Sequence, residues 1–361
     1  MKAARLVEVG KPLEIRDIPA PELRHANEKD DIQTIVKVKA CGICGTDIHQ
    51  ITGRAKVNRL PLTPGHEISG IVEDVGRAVS SGRMSMRPLK KGDHVAVNNV
   101  ISCGGCRPCL RGRFNFCRNA LMFGRHVDGG LAEYVKVPAR NLVHIPDNVT
   151  FPEAAVLGCA VVTAFHALNL GHIETGTRVA VWGAGGVGLS LIQLAREISA
   201  AYPIIALDTR ENSLRLASEF GADYTVNVNK EDPVSRILDI TDGSGADLVY
   251  DAAGVKDTDS NGELQTLACT AAGGRLIVIA TYGQAVPVEP HDDLGLFEKN
   301  FTGSCGNLPQ ELSYLVDLIS GRRRIDIMKL ITNTISIEDV NSVIDRWMNG
   351  DGDIIRPVVI F

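Results

Sequence analysis

Four consecutive apolar residues, Val179 to Trp182, run without a break into Gly183-Ala-Gly185-Gly186-Val187-Gly188 and then into the amphipathic stretch Leu-Ser-Leu-Ile-Gln-Leu-Ala-Arg. A lone GxGxxG carries little weight in a chain with 36 glycines. One that closes a strand and opens a helix is a much stronger constraint on the fold. Gly183 permits the tight turn, Gly185 lets the backbone approach a pyrophosphate, and Gly188 lets the helix lie close to the sheet. The helix start, with Gly186 and Val187, offers unpaired N–H groups and a positive dipole end. Asp208 ends the next apolar run, 20 residues past Gly188. A carboxylate there accepts the ribose hydroxyls of NAD and repels a 2′-phosphate, whereas Arg210, two residues on, pulls toward NADP. The expectation is a dinucleotide site with NAD favoured over NADP.

The pattern around this motif alternates strand and helix. Residues 178–182, 203–207, 247–250 and 275–280 read as buried strands, and 187–198 and 211–220 as helices. Continuous apolar strands with crossover helices predict a doubly wound parallel sheet. Before residue 152 the chain reads differently, with short β-branched runs at 34–38, 68–75, 94–97 and 131–137 and an edge strand at the start. The basic stretch 77–91 reads as an exposed loop. Residues 152–170 read as a buried helix, 309–320 and 337–349 as helices, and 354–361 as a closing strand. The predicted class is α/β, in two domains: 1–160 with 306–361 as a β-rich domain, and 161–305 as the dinucleotide-binding domain.

The charge balance of 43 acids against 38 bases, with no long basic block, excludes nucleic acid and anionic membranes as expected partners. No apolar leader segment opens the sequence. Nine cysteines, an odd and mostly clustered set, do not form a small secreted disulfide framework. They suggest thiols held reduced for metal, with the cytoplasm as the expected compartment. Cys103, Cys106, Cys109 and, after seven residues, Cys117 form the strongest such motif. Four thiolates suit a tetrahedral zinc with no position left for substrate, hence a structural ion; an iron–sulfur cluster uses the same ligands. Three further segments hold metal-ligand types: Cys41-Gly-Ile-Cys44-Gly-Thr46-Asp47-Ile-His49, Pro64-Gly65-His66-Glu67, and Leu157-Gly158-Cys159. From spacing alone, Cys41 and Cys44 are either a redox pair or two ligands of one metal.

Taken together, these segments resemble the zinc-containing medium-chain alcohol dehydrogenases over essentially the whole chain. Gly65-His66-Glu67-x₂-Gly70-x₅-Gly76-x₂-Val79 matches that family's zinc signature. The resemblance implies a GroES-like catalytic domain joined to a Rossmann domain, with two zinc ions per chain. It makes Cys44, His66 and Cys159 the ligands of a catalytic zinc whose fourth position takes water or substrate. It places Glu67 behind the metal as a transient ligand, makes Asp47 the residue that orients His66, and leaves Cys41 a structural neighbour. It implies a proton relay from Thr46 through the cofactor ribose to His49. Thr163 is expected beside the nicotinamide and Arg356 beside the pyrophosphate. The implied reaction is reversible hydride transfer between an alcohol and its aldehyde or ketone, in a homodimer or homotetramer.

Cys159 stands where polyol- and threonine-type relatives carry glutamate, which tilts the expectation toward simple alcohols and aldehydes. A semialdehyde or polyol reductase on the same scaffold is the alternative. A carboxylate-bearing substrate for such an enzyme needs a pocket cation, for which Arg54, Lys56, Arg59 and Arg125 are the candidates. A non-catalytic dinucleotide sensor is a third reading, disfavoured because Cys44, His66, Cys159 and Thr46 are all present.

Overall fold

A computed structural model describes residues 1–24, 30–81, 88–253, 264–280, 285, 288–322 and 325–361. They form two compact units, Met1–Val162 with Asn307–Phe361, and Thr163–Gly306.

The first unit is built on one sheet. Asn333–Ile335, Pro357–Ile360, Gln33–Gly42, Glu67–Val75, His94–Val97 and Leu142–His144 lie side by side in that order, and Tyr134–Pro138 joins the first half of Gln33–Gly42. All pairs are antiparallel except Asn333–Ile335 with Pro357–Ile360. The β-branched runs fit a pleated surface, and Val36, Val38, Ile68, Val72, Val95, Val97, Val135 and Val137 form the core of this unit. The expected edge strand at the chain start is Lys2–Arg5, paired with Glu14–Asp17 in a small separate sheet.

Register in the main sheet positions the chemistry. Gly42 pairs with Glu67 on one side and with Val358 on the other. Residues just past Gly42, just before Glu67 and just before Pro357 therefore meet at one end of three adjacent strands. Gly65 makes the bend before His66: its φ is +90°, and a Cβ there would stand 2.6 Å from Cys41 Sγ. Only glycine takes that conformation in that space without strain.

Two expectations change here. The closing strand is shorter than 354–361, spanning Pro357–Ile360. The segment 77–91 is not all exposed loop: Arg77–Ser80 is a helical turn with Val79 buried, and Leu89 is buried as well. Val79 and Leu89 anchor the segment in the core, which its basic composition conceals; residues 82–87 lie outside the described residues. The apolar helix is present as Phe151–Val156, a wider π-helical turn Leu157–Val161, and Val162–Gly171. Although Phe151–Gly171 is long and apolar enough to cross a membrane, 72% of its most apolar window is buried inside the protein.

The second unit is a six-stranded parallel sheet in the order Tyr224–Asn227, Ile204–Asp208, Val179–Trp182, Ala246–Asp251, Thr270–Val278, Asn300–Gly303. Numbered along the sheet this is 3-2-1-4-5-6, which reverses direction beside Val179–Trp182 and so opens a crevice at the carboxyl ends of the strands. The two outer strands, Tyr224–Asn227 and Asn300–Gly303, are absent from the sequence reading. They are partly exposed and lack the continuous apolar run that marks the inner four.

Gly65→Ala is expected to lower the stability of the protein by about 2–4 kcal/mol through backbone strain and overpacking. The shift of its urea midpoint measures this, and a midpoint equal to that of the parent removes the constraint assigned to Gly65.

Candidate active site

Strand Gln33–Gly42 ends, and Cys44 immediately caps the helix Gly45–Ile51. The third helical residue, Asp47, turns back and its carboxylate accepts the Cys44 N–H at 2.9 Å. The other carboxylate oxygen accepts the Gly65 N–H at 3.1 Å and lies 3.3 Å from His66 Nδ1. Asp47 and His66 are both fully buried. With Nδ1 held by a carboxylate, Nε2 is the nitrogen left for a metal, whose binding would displace any proton there. Nε2 is buried and has no hydrogen-bond partner.

Cys159 comes from the π-helical turn Leu157–Val161. Its sulfur, the Cys44 sulfur, a His66 nitrogen and a Glu67 oxygen all lie within 4.8 Å of one another. This set fits a zinc ion: two soft sulfurs, one imidazole nitrogen and a carboxylate oxygen converge, and three ligands would leave a position open wherever Glu67 stays with Arg356. Cys41 is not among them. It is fully buried, with its thiol pushed well up by burial, and both it and Cys44 are free thiols, so of the CxxC pair Cys44 alone joins the converging ligand atoms.

The side chains of the cluster act strongly on one another's acidity. Cys44 is held well below the usual thiol range, first by the hydrogen bond from Cys159 and next, against burial, by the Arg356 cation. Cys159 is pushed well up by the same bond and by burial. Burial raises the Glu67 carboxyl to about 7 against the pull of Arg356. Burial opposes charge on His66, but Asp47 and Cys44 outweigh it and raise its pKa well above the usual value.

Arg356 differs from expectation in its partner. Its Nη1 donates to Glu67 Oε1 at 3.0 Å and to the Ile43 carbonyl at 3.4 Å, and the pair is almost wholly buried. The sequence reading aimed this arginine at a pyrophosphate; the structure gives it a carboxylate 289 residues away. No local pattern signals such a contact. Thr46 Oγ1 lies 3.9 Å from Cys44 Sγ, while His49, one turn on, is exposed. The two thus mark the inner and outer ends of one helix face. Thr163 follows Cys159 by one turn in the same helical run and is half-buried.

Cys103, Cys106, Cys109 and Cys117 form a second cluster. Their sulfurs are 3.4 to 4.0 Å apart where paired. Tetrahedral zinc with Zn–S near 2.3 Å requires about 3.8 Å between sulfurs. Sulfurs this close match the spacing of one tetrahedral ion and leave no room for a multi-iron cluster. The Cys103 thiol is lowered to about 6, chiefly by the Gly105 and Cys106 N–H groups, and burial lifts Cys109 to about 11.

In the second unit, Gly183 turns the chain with φ +93°, and a Cβ on Gly188 would stand 1.8 Å from the Gly183 carbonyl oxygen. Gly185 caps the helix Gly186–Ile198, so the Gly186 and Val187 amides sit in its first turn. A cavity of about 600 Å³ opens here, bordered by Gly183, Gly185, Asp208, Arg210 and Asn229. Asp208 accepts the Ala184 N–H at 2.8 Å, and the Arg210 guanidinium folds onto it at 3.1 and 3.2 Å. A hollow of similar size beside Met1, Ile18 and Pro138 holds none of the ligand residues.

Residues 30–147 match the alcohol dehydrogenase GroES-like domain, and residues 186–321 match the zinc-binding dehydrogenase domain. The chain is 34% identical to an NAD-dependent alcohol dehydrogenase of Sulfurisphaera tokodaii, over 97% of each chain. It is 33% identical to an L-threonine 3-dehydrogenase of Bacillus subtilis, over 93% of this chain and 92% of that one. The crystal structure of the alcohol dehydrogenase from Aeropyrum pernix superposes with a TM-score of 0.85 at 29% identity, covering 100% of both chains. The chain belongs to the zinc-type medium-chain alcohol dehydrogenase family. Its fold is that family's GroES-like unit with a Rossmann unit.

Asp47→Asn removes the charge that orients His66 and is expected to weaken zinc binding by about 10–100-fold. Competition against a chromogenic chelator reads this directly; parent-like affinity takes Asp47 out of the metal's support.

Proposed function

We propose that this protein is a zinc-dependent alcohol dehydrogenase that moves hydride reversibly between a primary or secondary alcohol and a nicotinamide cofactor. The observation that carries the proposal is the convergence of Cys44, His66 and Cys159, with His66 Nε2 free and Nδ1 held by Asp47. Zinc bound there would supply Lewis acidity toward the substrate oxygen. The protein's own residues do the rest. Asp47 fixes the imidazole. Thr46 Oγ1, 3.9 Å from Cys44 Sγ, would accept the alcohol proton as its own hydroxyl proton moves on, and the exposed His49, one turn away on the same helix, would pass a proton to solvent. Arg356 holds Glu67 at 3.0 Å, behind the ligands. Hydride is transferred without an intermediate on the protein, which contributes position and electrostatics.

Two zinc ions per chain are proposed, the second structural and held by Cys103, Cys106, Cys109 and Cys117. NAD is the preferred cofactor, because Asp208 borders the nucleotide cavity; the name of the Sulfurisphaera relative supports this. The Arg210 guanidinium already lies on that carboxylate, which softens the preference. The partner is a small alcohol or aldehyde. A homodimer or homotetramer is supported by the outer sheet strand Asn300–Gly303, which has no further strand beside it among the described residues. It carries exposed Phe301, with Leu296 and Phe297 nearby. Two clusters of free thiols suit a reducing compartment, and the cytoplasm is proposed.

Elemental analysis of protein purified without added metal is expected to give two zinc ions per chain. Cys44→Ser and Cys109→Ala should each lose one, the first abolishing turnover and the second chiefly lowering the melting temperature. Parent-level turnover in Cys44→Ser would sink the catalytic assignment. Asp208→Ser is expected to move the ratio of kcat/KM for NAD over NADP toward NADP by roughly tenfold or more, as loss of a charged hydrogen-bond acceptor does; an unchanged ratio removes Asp208 from cofactor choice.

A further inference from the structure

The chain that leaves the four-cysteine lobe makes a tight turn. The Arg125 and His126 N–H groups both donate to the Met122 carbonyl, at 3.3 and 2.9 Å, and Gly124 N–H donates to Val127 O at 2.9 Å. Arg125 and His126 form its tip. The turn is fixed on the bend that presents His66. Phe123 is fully buried and its N–H donates to Asn99 O at 3.2 Å. Gly124 lies against Gly65, where a Cβ on Gly124 would stand 2.7 Å from the Gly65 nitrogen, and Gly130 N–H donates to Gly65 O at 2.8 Å. The turn therefore packs directly on Gly65, the residue preceding a proposed zinc ligand.

The charges at this corner do not balance. Asp128 is the acid next to the turn, and it is already committed: Arg5 Nη1 reaches it at 2.9 Å, Arg59 Nη2 at 2.6 Å, and the Thr63 N–H at 2.9 Å. Arg125 is half-buried, and its Nε is buried with no hydrogen-bond partner. His126 does not answer it: its Nδ1 accepts the Met122 N–H at 3.0 Å, and burial, then the Arg125 charge, lower its pKa. A buried guanidinium N–H without an acceptor is costly, and an anion from outside the chain that reaches it removes that cost. The other cations of the sequence reading are placed differently. Arg59 is paired with Asp128, Lys56 is exposed, and exposed Arg54 borders a small hollow with His49 and Trp347.

We propose that Arg125 receives an anionic group on the substrate, so that the substrate class is a small hydroxy or oxo compound bearing a carboxylate or a phosphate. The planar fork of a guanidinium matches both groups with two parallel hydrogen bonds. This rests on the reading of Cys44, His66 and Cys159 as the reacting centre, and it names what that centre acts on.

The test compares kcat/KM with NAD for matched pairs: 4-hydroxybutanoate against 1-butanol, and glycerol 3-phosphate against glycerol. The parent enzyme should favour the charged member of at least one pair, and that pair identifies the anion. Arg125→Met should lower the charged-to-neutral ratio by about 10–100-fold, mainly through KM, and Arg125→Lys by less. A merely structural role would depress both members alike and leave the ratio unchanged, which overturns the proposal, as does a parent enzyme that prefers the neutral member of both pairs. Should Arg125→Met fail to fold, Arg125→Gln and Arg125→Lys carry the same ratio test. Failure of the dehydrogenase reading looks different: no member of either pair reduces the nicotinamide, with zinc bound.

Discussion

A single buried carboxylate holds the catalytic unit together. Asp47 spends its oxygens on the Cys44 N–H, the Gly65 N–H and the His66 ring. A charge withdrawn completely from water is tolerated only when its acceptor sites are filled. Here the groups that fill them belong to the two chain segments bearing Cys44 and His66, the first two proposed zinc ligands. The same hydrogen bonds that make burial affordable start the helix after Cys44, fix the bend before His66 and choose the imidazole nitrogen left for metal. Structure and function are not separable at this residue, because each of its partners is both a fold element and a step in the placement of a ligand.

Both cysteine-bearing clusters carry an internal tension of one kind. In each, neighbouring thiols are driven apart in acidity: Cys44 down and Cys159 up in one, Cys103 to about 6 and Cys109 to about 11 in the other. Thiols that crowd together share protons, since all cannot ionise at once at such distances. A divalent cation held there would replace those protons and let every sulfur ionise, so that metal binding and proton release would be one event. The difference between the clusters lies in what else is present. The four-cysteine lobe closes its coordination with sulfur alone. The other set has three ligands and a carboxylate, Glu67, which Arg356 holds by one oxygen while the second oxygen has no hydrogen-bond partner.

What was legible in the sequence follows from which physical signals are local. The four inner strands of the parallel sheet announce themselves because burial on both faces demands continuous apolar residues. Tyr224–Asn227 and Asn300–Gly303 at its edges are only partly covered, so nothing forced such a run there. The four-cysteine lobe is legible from spacing because its ligands lie within one short segment. The catalytic set is not, since Cys44, His66 and Cys159 are separated along the chain and only the family resemblance tells Cys44 from Cys41. Least legible are contacts made by strand register: Arg356 meets Glu67 because Val358 and Glu67 flank the same residue, Gly42. The fold of Arg210 back onto Asp208 was equally hidden, as sequence shows the two charges but not whether one spends itself on the other.

That register has a consequence for how the site comes into being. Gly42 sits between Glu67, a near neighbour in sequence, and Val358, at the far end of the chain. The first pairing closes a short loop; the second closes one that encloses nearly the whole protein, including all of Thr163–Gly306. Long-range strand pairing pays its loop entropy before it gains contacts and forms late. Cys44, His66 and Glu67 can therefore gather through the hairpin-like pairing of Gln33–Gly42 with Glu67–Val75, while the guanidinium that neutralises Glu67 arrives only with Pro357–Ile360. The segment leading into the last strand of the chain thus supplies the cation of a site whose other members come from much earlier in the sequence.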